Sequence, residues 1–177
     1  MSLEQSAALV EAVLFLENEP VDPAALERIT GLNRRQVQEA IGELRRRYAD
    51  EVHGLEIVEL GGGYTFAVKP QLWETLKPRY GRRSEGKLSR AALETLSIIA
   101  YSQPVTRQEI ESIRGVSADG MIRLLASKNL IREVGKKQVP GRPVQYGTTK
   151  EFLKTFRLAS IADLPKLDEL DEEKFSG

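Results

Sequence analysis

Shifted by 84 positions, the chain resembles itself. Pro20-Val21 falls on Pro104-Val105 and Gly31 on Gly115. Leu26 and Ile29 fall on Ile110 and Ile113, Leu9 on Leu93, and Ile41 on Leu125. The apolar positions agree in phase as well as in kind, so each copy folds as one unit with its own buried face. A chain of 177 residues has room for two such small domains.

The same order of signals appears twice. In the first copy Asp22 is placed to cap a short helix, with Pro23 at its first position, where a missing N–H costs nothing. Gly31 ends that helix, and Asn33 caps a third one, with Gln36 completing a capping box. Val37, Ile41, Leu44 and Tyr48 have helical spacing and form its core face. In the second copy Thr106 and Glu109 form the box, Gly115 stops the helix, and Ser117 is expected to cap the next. Met121, Leu124 and Leu125 are the core positions there.

A β-hairpin follows each run of three helices. Leu55 to Leu60, a Gly61-Gly62-Gly63 turn and Tyr64 to Val68 alternate as strand, turn and strand. Ile131 to Val134 and Val144 to Tyr146 flank a basic loop ending in Gly141-Arg142-Pro143. Three helices with a tight second turn, followed by a hairpin, make a winged helix-turn-helix. The predicted fold is therefore mainly α with small β-hairpins, two tandem winged helix-turn-helix domains. Residues 1–80 form the first domain, 81–88 a linker, 89–158 the second domain, and 159–177 an acidic, mobile tail. Pro70 opens a short helix with Trp73, Leu76 and Tyr80 on one face, and Ser89 caps an apolar helix from Ala91 to Tyr101. A second box is expected from Thr148 and Glu151.

The net charge of zero conceals a polarity. Residues 1–80 carry 9 basic against 13 acidic side chains, residues 81–158 carry 15 against 7, and residues 159–177 carry 2 against 6. A basic second half beside an acidic first suits either nucleic acid or protein docking. Chemistry is poorly provided for. With no cysteine, disulfides, thiolate catalysis and sulfur-bound metals are excluded. The single His53 lies in a loop before the first hairpin without a nucleophile motif around it. Asp168, Glu169, Asp171, Glu172 and Glu173 lack the glycine turn of a calcium loop. Gly81 to Lys87 fits G-x-x-x-x-G-K, but Leu88 stands where a phosphate loop needs Ser or Thr, and no buried strand precedes it. The reading is not an enzyme, with no cofactor and no metal. No apolar run approaches the ~20 residues of a membrane span, so a cytoplasmic location is expected.

Two classes of binding partner stay open at this point. A DNA-reading winged helix presents Arg, Lys, Asn or Gln from its third helix to base edges. Here that helix offers Asp119 and Gly120 first, a poor surface for a polyanion, although Lys136, Lys137 and Arg142 of the wing, with Arg82, Arg83 and Lys87, could follow a phosphate backbone. The alternative to a protein-binding subunit is thus a winged-helix transcription regulator. For a protein partner the candidate contacts are Arg142, Pro143 and Tyr146 of the wing, with Arg107 and Arg123 from the two helices before it.

Several segments then resemble a known family. They are Leu88 to Leu96, Ile98 to Tyr101, Gln103 to Arg107, Ile113 to Val116, Gly141-Arg142-Pro143, Tyr146 to Leu153 and Asp163-Leu164-Pro165. Together they are similar to the segregation and condensation protein B family of bacteria, densely over 88–165 and more loosely over 1–80. Arg157 departs from it, standing where the family has a phenylalanine-glycine pair. The resemblance implies a non-catalytic subunit of the SMC–kleisin condensin, acting in chromosome condensation and segregation during cell division. It implies a nucleoid-associated homodimer joined through the N-terminal domain, which binds the kleisin subunit, segregation and condensation protein A. Through that subunit it meets an SMC ATPase, with DNA contacted only indirectly or weakly.

Overall fold

In a computed structural model of the protein, residues 1–80 and 88–166 are described. The chain divides between Gly86 and Lys87 into two compact units. The G-x-x-x-x-G-K stretch, the charges of Arg82, Arg83 and Lys87, and the acidic run from Asp168 lie outside the described residues.

The first unit opens with α1 (Leu3–Leu16), begun by a Ser2 capping box with Gln5. α2 (Pro23–Thr30) starts at Asp22, whose carboxylate accepts from Ala25 N–H at 2.8 Å, and stops at Gly31 with φ 72°. That left-handed turn sends the chain into α3 (Arg34–Tyr48), capped by the Asn33–Gln36 box. Strands β1 (Leu55–Leu60) and β2 (Gly63–Val68) form an antiparallel hairpin. Gly61 and Gly62, at φ 59° and 79°, make its two-residue turn, a shape that requires positive φ at both positions. α4 (Pro70–Tyr80) follows. The core is a single cluster of Ala7, Val10, Leu14, Leu26, Val37, Ile41, Leu44 and Ile57 with their neighbours.

The second unit repeats the plan. α5 (Arg90–Ser102) is capped by Ser89. β3 (Val105–Thr106) leads into α6 (Arg107–Arg114), which begins with the Thr106–Glu109 box and ends at Gly115 with φ 73°. α7 (Asp119–Ser127) precedes β4 (Ile131–Lys136) and β5 (Val144–Thr148), and α8 (Lys150–Thr155) closes the helical part. The sheet order is β3-β5-β4, all antiparallel. Its core gathers Leu96, Ile99, Ile110, Ile122, Leu125, Leu130, Ile131 and Phe152 with their neighbours. Each unit is a winged helix.

Four expectations need correction. The 84-residue offset holds from the Pro-Val turn to the glycine that ends the second helix, but not for the first helix. α1 buries Ser6, Val10, Val13 and Leu14, and α5 buries Ala92, Leu96, Ile99 and Ala100, which stand 86 positions later. Residues 17–20 join α1 to Val21, whereas 103–104 suffice before Val105, so Leu9 does not match Leu93, which is 42% exposed. Ser117 does not cap α7. The N-cap is Ala118, whose side chain offers no acceptor. Thr149, not Thr148, caps α8, accepting from Phe152 N–H at 3.1 Å. The Thr148 hydroxyl and N–H both donate instead to Gln103 Oε1, at 3.1 and 2.8 Å. Finally, residues 159–166, expected to begin the tail, lie on the second unit. Ser160 opens a 3-10 turn over Ile161–Asp163, Leu164 packs against the core, and Tyr101 Oη donates to the Pro165 carbonyl at 2.6 Å.

Candidate functional site

In a helix-turn-helix the open side of the turn and the wing flank one concavity, and the second unit has such a groove of about 340 Å³. Arg107, Gln108 and Asp119 line it from the helices, and Pro140, Gly141, Pro143, Val144 and Tyr146 from the wing. Of the five residues singled out in the sequence, Arg107, Pro143 and Tyr146 thus line one groove. Arg123 joins them through Asp119, which accepts from both Arg123 and Arg107, the latter at 3.4 Å. Arg142 does not line the groove. It sits exposed at the wing turn with φ 39°, its N–H donating to the Val139 carbonyl at 2.9 Å.

The groove keeps its shape because each wall is tied down. Tyr146 opposes Val105 across β3-β5, and burial pushes its phenol above the ordinary value. Thr106 and Glu109 cap α6 reciprocally, and Lys137 of the wing donates to the same Glu109 carboxylate. The Lys137 bond and the Thr106 donors hold Glu109 down at about 2, so it stays ionised and the tie persists throughout the neutral range. Lys137 N–H also donates to Pro143 O at 2.9 Å, closing the wing on itself. One of the basic wing residues expected to follow a phosphate backbone therefore already has a carboxylate partner.

Across the turn, Glu111 replaces the missing cap of α7. Its carboxylate accepts from Ala118 N–H at 3.0 Å and from Ser117 Oγ at 3.3 Å. Arg114, with a side chain only 7% exposed, sends Nη1 to the Ser117 carbonyl at 3.2 Å and lies 3.7 Å from Glu94. These two residues and Asp119 were not singled out as partner residues from the sequence. Their signal was faint, because Glu111 reaches its partner seven residues on, across a turn rather than along a helix. His53 is an exposed loop residue whose ring lies 4.9 Å from that of Tyr48. Among the described residues no group of three or more His, Asp or Glu could hold a metal ion, and no helix is long and apolar enough to cross a membrane.

An acid at the head of α7, with arginines folded back onto it, suits a polypeptide ligand better than a polyanion. The fold and groove define a tandem winged-helix binding protein. Residues 8–167 match the family model described as segregation and condensation complex subunit ScpB. Segregation and condensation protein B of Desulforamulus reducens is 43% identical over 94% of this chain and 91% of its own length. That of Moorella thermoacetica is 44% identical over 92% and 83%. A solved structure described as the dimer of the ScpB N-terminal domain complexed with ScpA peptide is 28% identical, covering 43% of this chain and 95% of its own, with a TM-score of 0.41. The chain belongs to the ScpB family of segregation and condensation complex subunits.

Proposed function

We propose that the protein is a non-enzymatic, cytoplasmic, nucleoid-associated subunit that dimerises through residues 1–80 and grips a kleisin segment with the winged helix of residues 89–158. The stretch 81–88 joins the two, and the kleisin, segregation and condensation protein A, connects the dimer to an SMC ATPase. Family membership supports the assembly, and the groove supports the place. Pro143, Val144 and Tyr146 offer an apolar wall, while Arg107 and Arg123 sit on the Asp119 side with Arg142 at the rim. A segment with an apolar anchor flanked by carboxylates fits those two walls. The single observation that carries the reading is Asp119. At the first turn of α7, where a DNA-reading helix presents free donors to base edges, Asp119 instead draws the guanidinium groups of Arg107 and Arg123 onto itself.

The test is titration of purified kleisin into the full chain. Arg123→Glu and Tyr146→Ala are expected to weaken binding by about tenfold or more, since anchors of this type dominate such interfaces. Arg123 is exposed, so its variant should keep the wild-type melting curve. Unchanged affinity in both variants would remove the groove from the interface. Salt-dependent, sequence-selective DNA binding at physiological ionic strength would instead restore the regulator reading.

A further inference from the structure

The groove of the second unit has a chemical complement in the chain's own sequence. Its lining sets an apolar wall of Pro143, Val144 and Tyr146 beside a cationic side at Arg107. Asp119 is the one carboxylate among the lining residues, and it accepts from both Arg107 and Arg123. Arg107 also lies 3.9 Å from Glu111, whose carboxylate is engaged by the Ala118 N–H and the Ser117 hydroxyl. Arg142 stands exposed at the rim, and Lys137 with Glu109 makes a neutral pair. Three arginines therefore meet two carboxylates, and the surroundings share that sign, since residues 88–158 carry 12 basic against 6 acidic side chains.

Residues 167–175 read Leu-Asp-Glu-Leu-Asp-Glu-Glu-Lys-Phe, five carboxylates and one lysine with an aromatic side chain at the end. An apolar anchor beside carboxylates is the chemistry this groove accepts. Whether the segment can reach it depends on where the chain leaves the fold. Leu158 and Leu164 pack against the core of the second unit, and Tyr101 Oη donates to the Pro165 carbonyl at 2.6 Å. Pro165 is thus held at the last turn of α5, four residues before Val105, which pairs with Tyr146 of the groove across β3-β5. Those four residues span at most ~14 Å and paired strands lie ~5 Å apart, whereas the ten residues from Pro165 to Phe175 reach ~33 Å when extended. The segment is long enough, with slack.

Resting on the groove as the place where the kleisin docks, we infer that residues 167–175 of the same chain occupy it as an internal competitor. Phe175 lies against Pro143 and Tyr146, and Asp171, Glu172 and Glu173 face Arg107, Arg123 and Arg142. A segment joined to its site by a few residues is presented at an effective concentration on the order of mM, so even a modest intrinsic affinity keeps it in place. An incoming kleisin segment must then outbind the chain's own. The competitor sets a threshold that weak acidic peptides do not pass, which is specificity obtained by raising the cost of every binder alike.

The absence of cysteine makes the test direct. The full chain carrying Gln108→Cys in the groove and Lys174→Cys in the segment is oxidised at low concentration. In the control, Lys128→Cys, exposed beyond the far end of α7, replaces Gln108→Cys. A disulfide within one chain is expected for the groove position and only traces for the control. In parallel, purified kleisin is titrated into the full chain, into a chain ending at Lys166 that keeps the Leu164 and Pro165 contacts, and into a full chain with Asp171→Asn, Glu172→Gln and Glu173→Gln. The shortened and the neutralised chains are expected to bind kleisin about threefold or more tighter. A disulfide that doubles the mass puts the segment on a second copy, and none at Gln108→Cys, or as much at Lys128→Cys, takes it out of the groove. Each of these overturns the inference, and the effects of Arg123→Glu and Tyr146→Ala on kleisin binding then judge the docking site by themselves. The expected disulfide with a kleisin affinity unmoved by shortening overturns the competition, and silence of Arg123→Glu and Tyr146→Ala as well would take the docking site with it.

Discussion

The two units share a plan but cap the last helix of the turn differently, the first from its own N-cap residue and the second from the helix before. In the first, α3 has 15 residues and its own Asn33 as cap. In the second, α7 has 9, begins at a cap residue with no side-chain acceptor, and borrows the carboxylate of Glu111 from the helix before. The first wing turns on two glycines. The second is a longer loop tied to α6 by Lys137 and Glu109 and to α5 by Gln103. The comparison teaches that a helix-turn-helix can be stiffened either by good local caps or by cross-links between its helices and wing. The groove proposed for the partner lies in the second unit.

The largest expected effect tests whether these are two cores at all. Leu26 and Ile110 are matched positions, both fully buried, each in its own cluster. Truncating either to Ala should cost about 2–5 kcal/mol through lost burial and the cavity left behind. Hydrogen exchange resolved by peptide is expected to speed up over residues 23–48 for Leu26→Ala and over 107–127 for Ile110→Ala, each without the other. Loosening of both units by either change would show one cooperative body.

A smaller effect separates the two sheets. Val21 bridges Tyr64 as Val105 pairs with Tyr146, so Gly63 and Gln145 are counterparts. A Cβ on Gly63 would come within 2.9 Å of the Pro20 carbonyl carbon, which is backbone and has nowhere to go. Gln145, by contrast, uses its side chain, donating to the Pro104 carbonyl at 3.3 Å. Gly63→Ala should therefore destabilise by about 1–3 kcal/mol, the usual range for overpacking. Gln145→Ala, losing one exposed hydrogen bond, should cost no more than about 1 kcal/mol. Thermal unfolding of the two variants gives the ranking, and equal losses would show the close approach at Pro20 to be pliable.

The caps come next, and they also mark what could be read from the residues alone. Asn33 and Ser117 are 84 positions apart and look interchangeable. Asn33→Ala should cost about 1 kcal/mol, Ser117→Ala a few tenths, and Glu111→Ala about 1 kcal/mol, because the cap function has moved to Glu111. Denaturant titrations followed by circular dichroism distinguish the three. The winged-helix plan was legible because Asp22, Asn33, Thr106, Gly31 and Gly115 act within a few residues of themselves, and propensity and capping are local rules. What escaped depended on contacts over longer spans. Examples are the Thr148–Gln103 bonds, the Glu111 cap, the shortened loop that moves α5 to an 86-residue offset, and Leu164 with Pro165 folding back onto α5. The candidate site was half legible. Arg107, Pro143 and Tyr146 converge, but their assembly with Arg123 depends on Asp119, which in sequence reads only as an acid out of place on a recognition helix.

The helix ends supply the smallest and sharpest case. α2 and α6 both stop at a glycine with φ near 72°, the left-handed conformation that glycine adopts without a Cβ clash. In the second unit two further helices end the same way without glycine. After α7, Asn129 takes φ 56° while its N–H donates to Ala126 O and that of Leu130 to Leu125 O. After α8, Arg157 takes φ 55°, its N–H donating to Lys154 O and that of Leu158 to Leu153 O. Both are the paired closing bonds of a Schellman turn, with Leu130 and Leu158 supplying the apolar contact that follows. Asparagine tolerates the left-handed region, but arginine bears most of the ~1–2 kcal/mol steric cost. Glycine is what this φ favours. Arg157→Gly should raise stability by about 0.5–1 kcal/mol, the relief of strain exceeding the extra freedom glycine gains when unfolded. The measurement is the unfolding midpoint of the second unit, with Gly115→Ala as the mirror experiment, expected to lower it. A midpoint unchanged or lowered by Arg157→Gly would mean that the arginine side chain makes contacts worth more than its backbone strain.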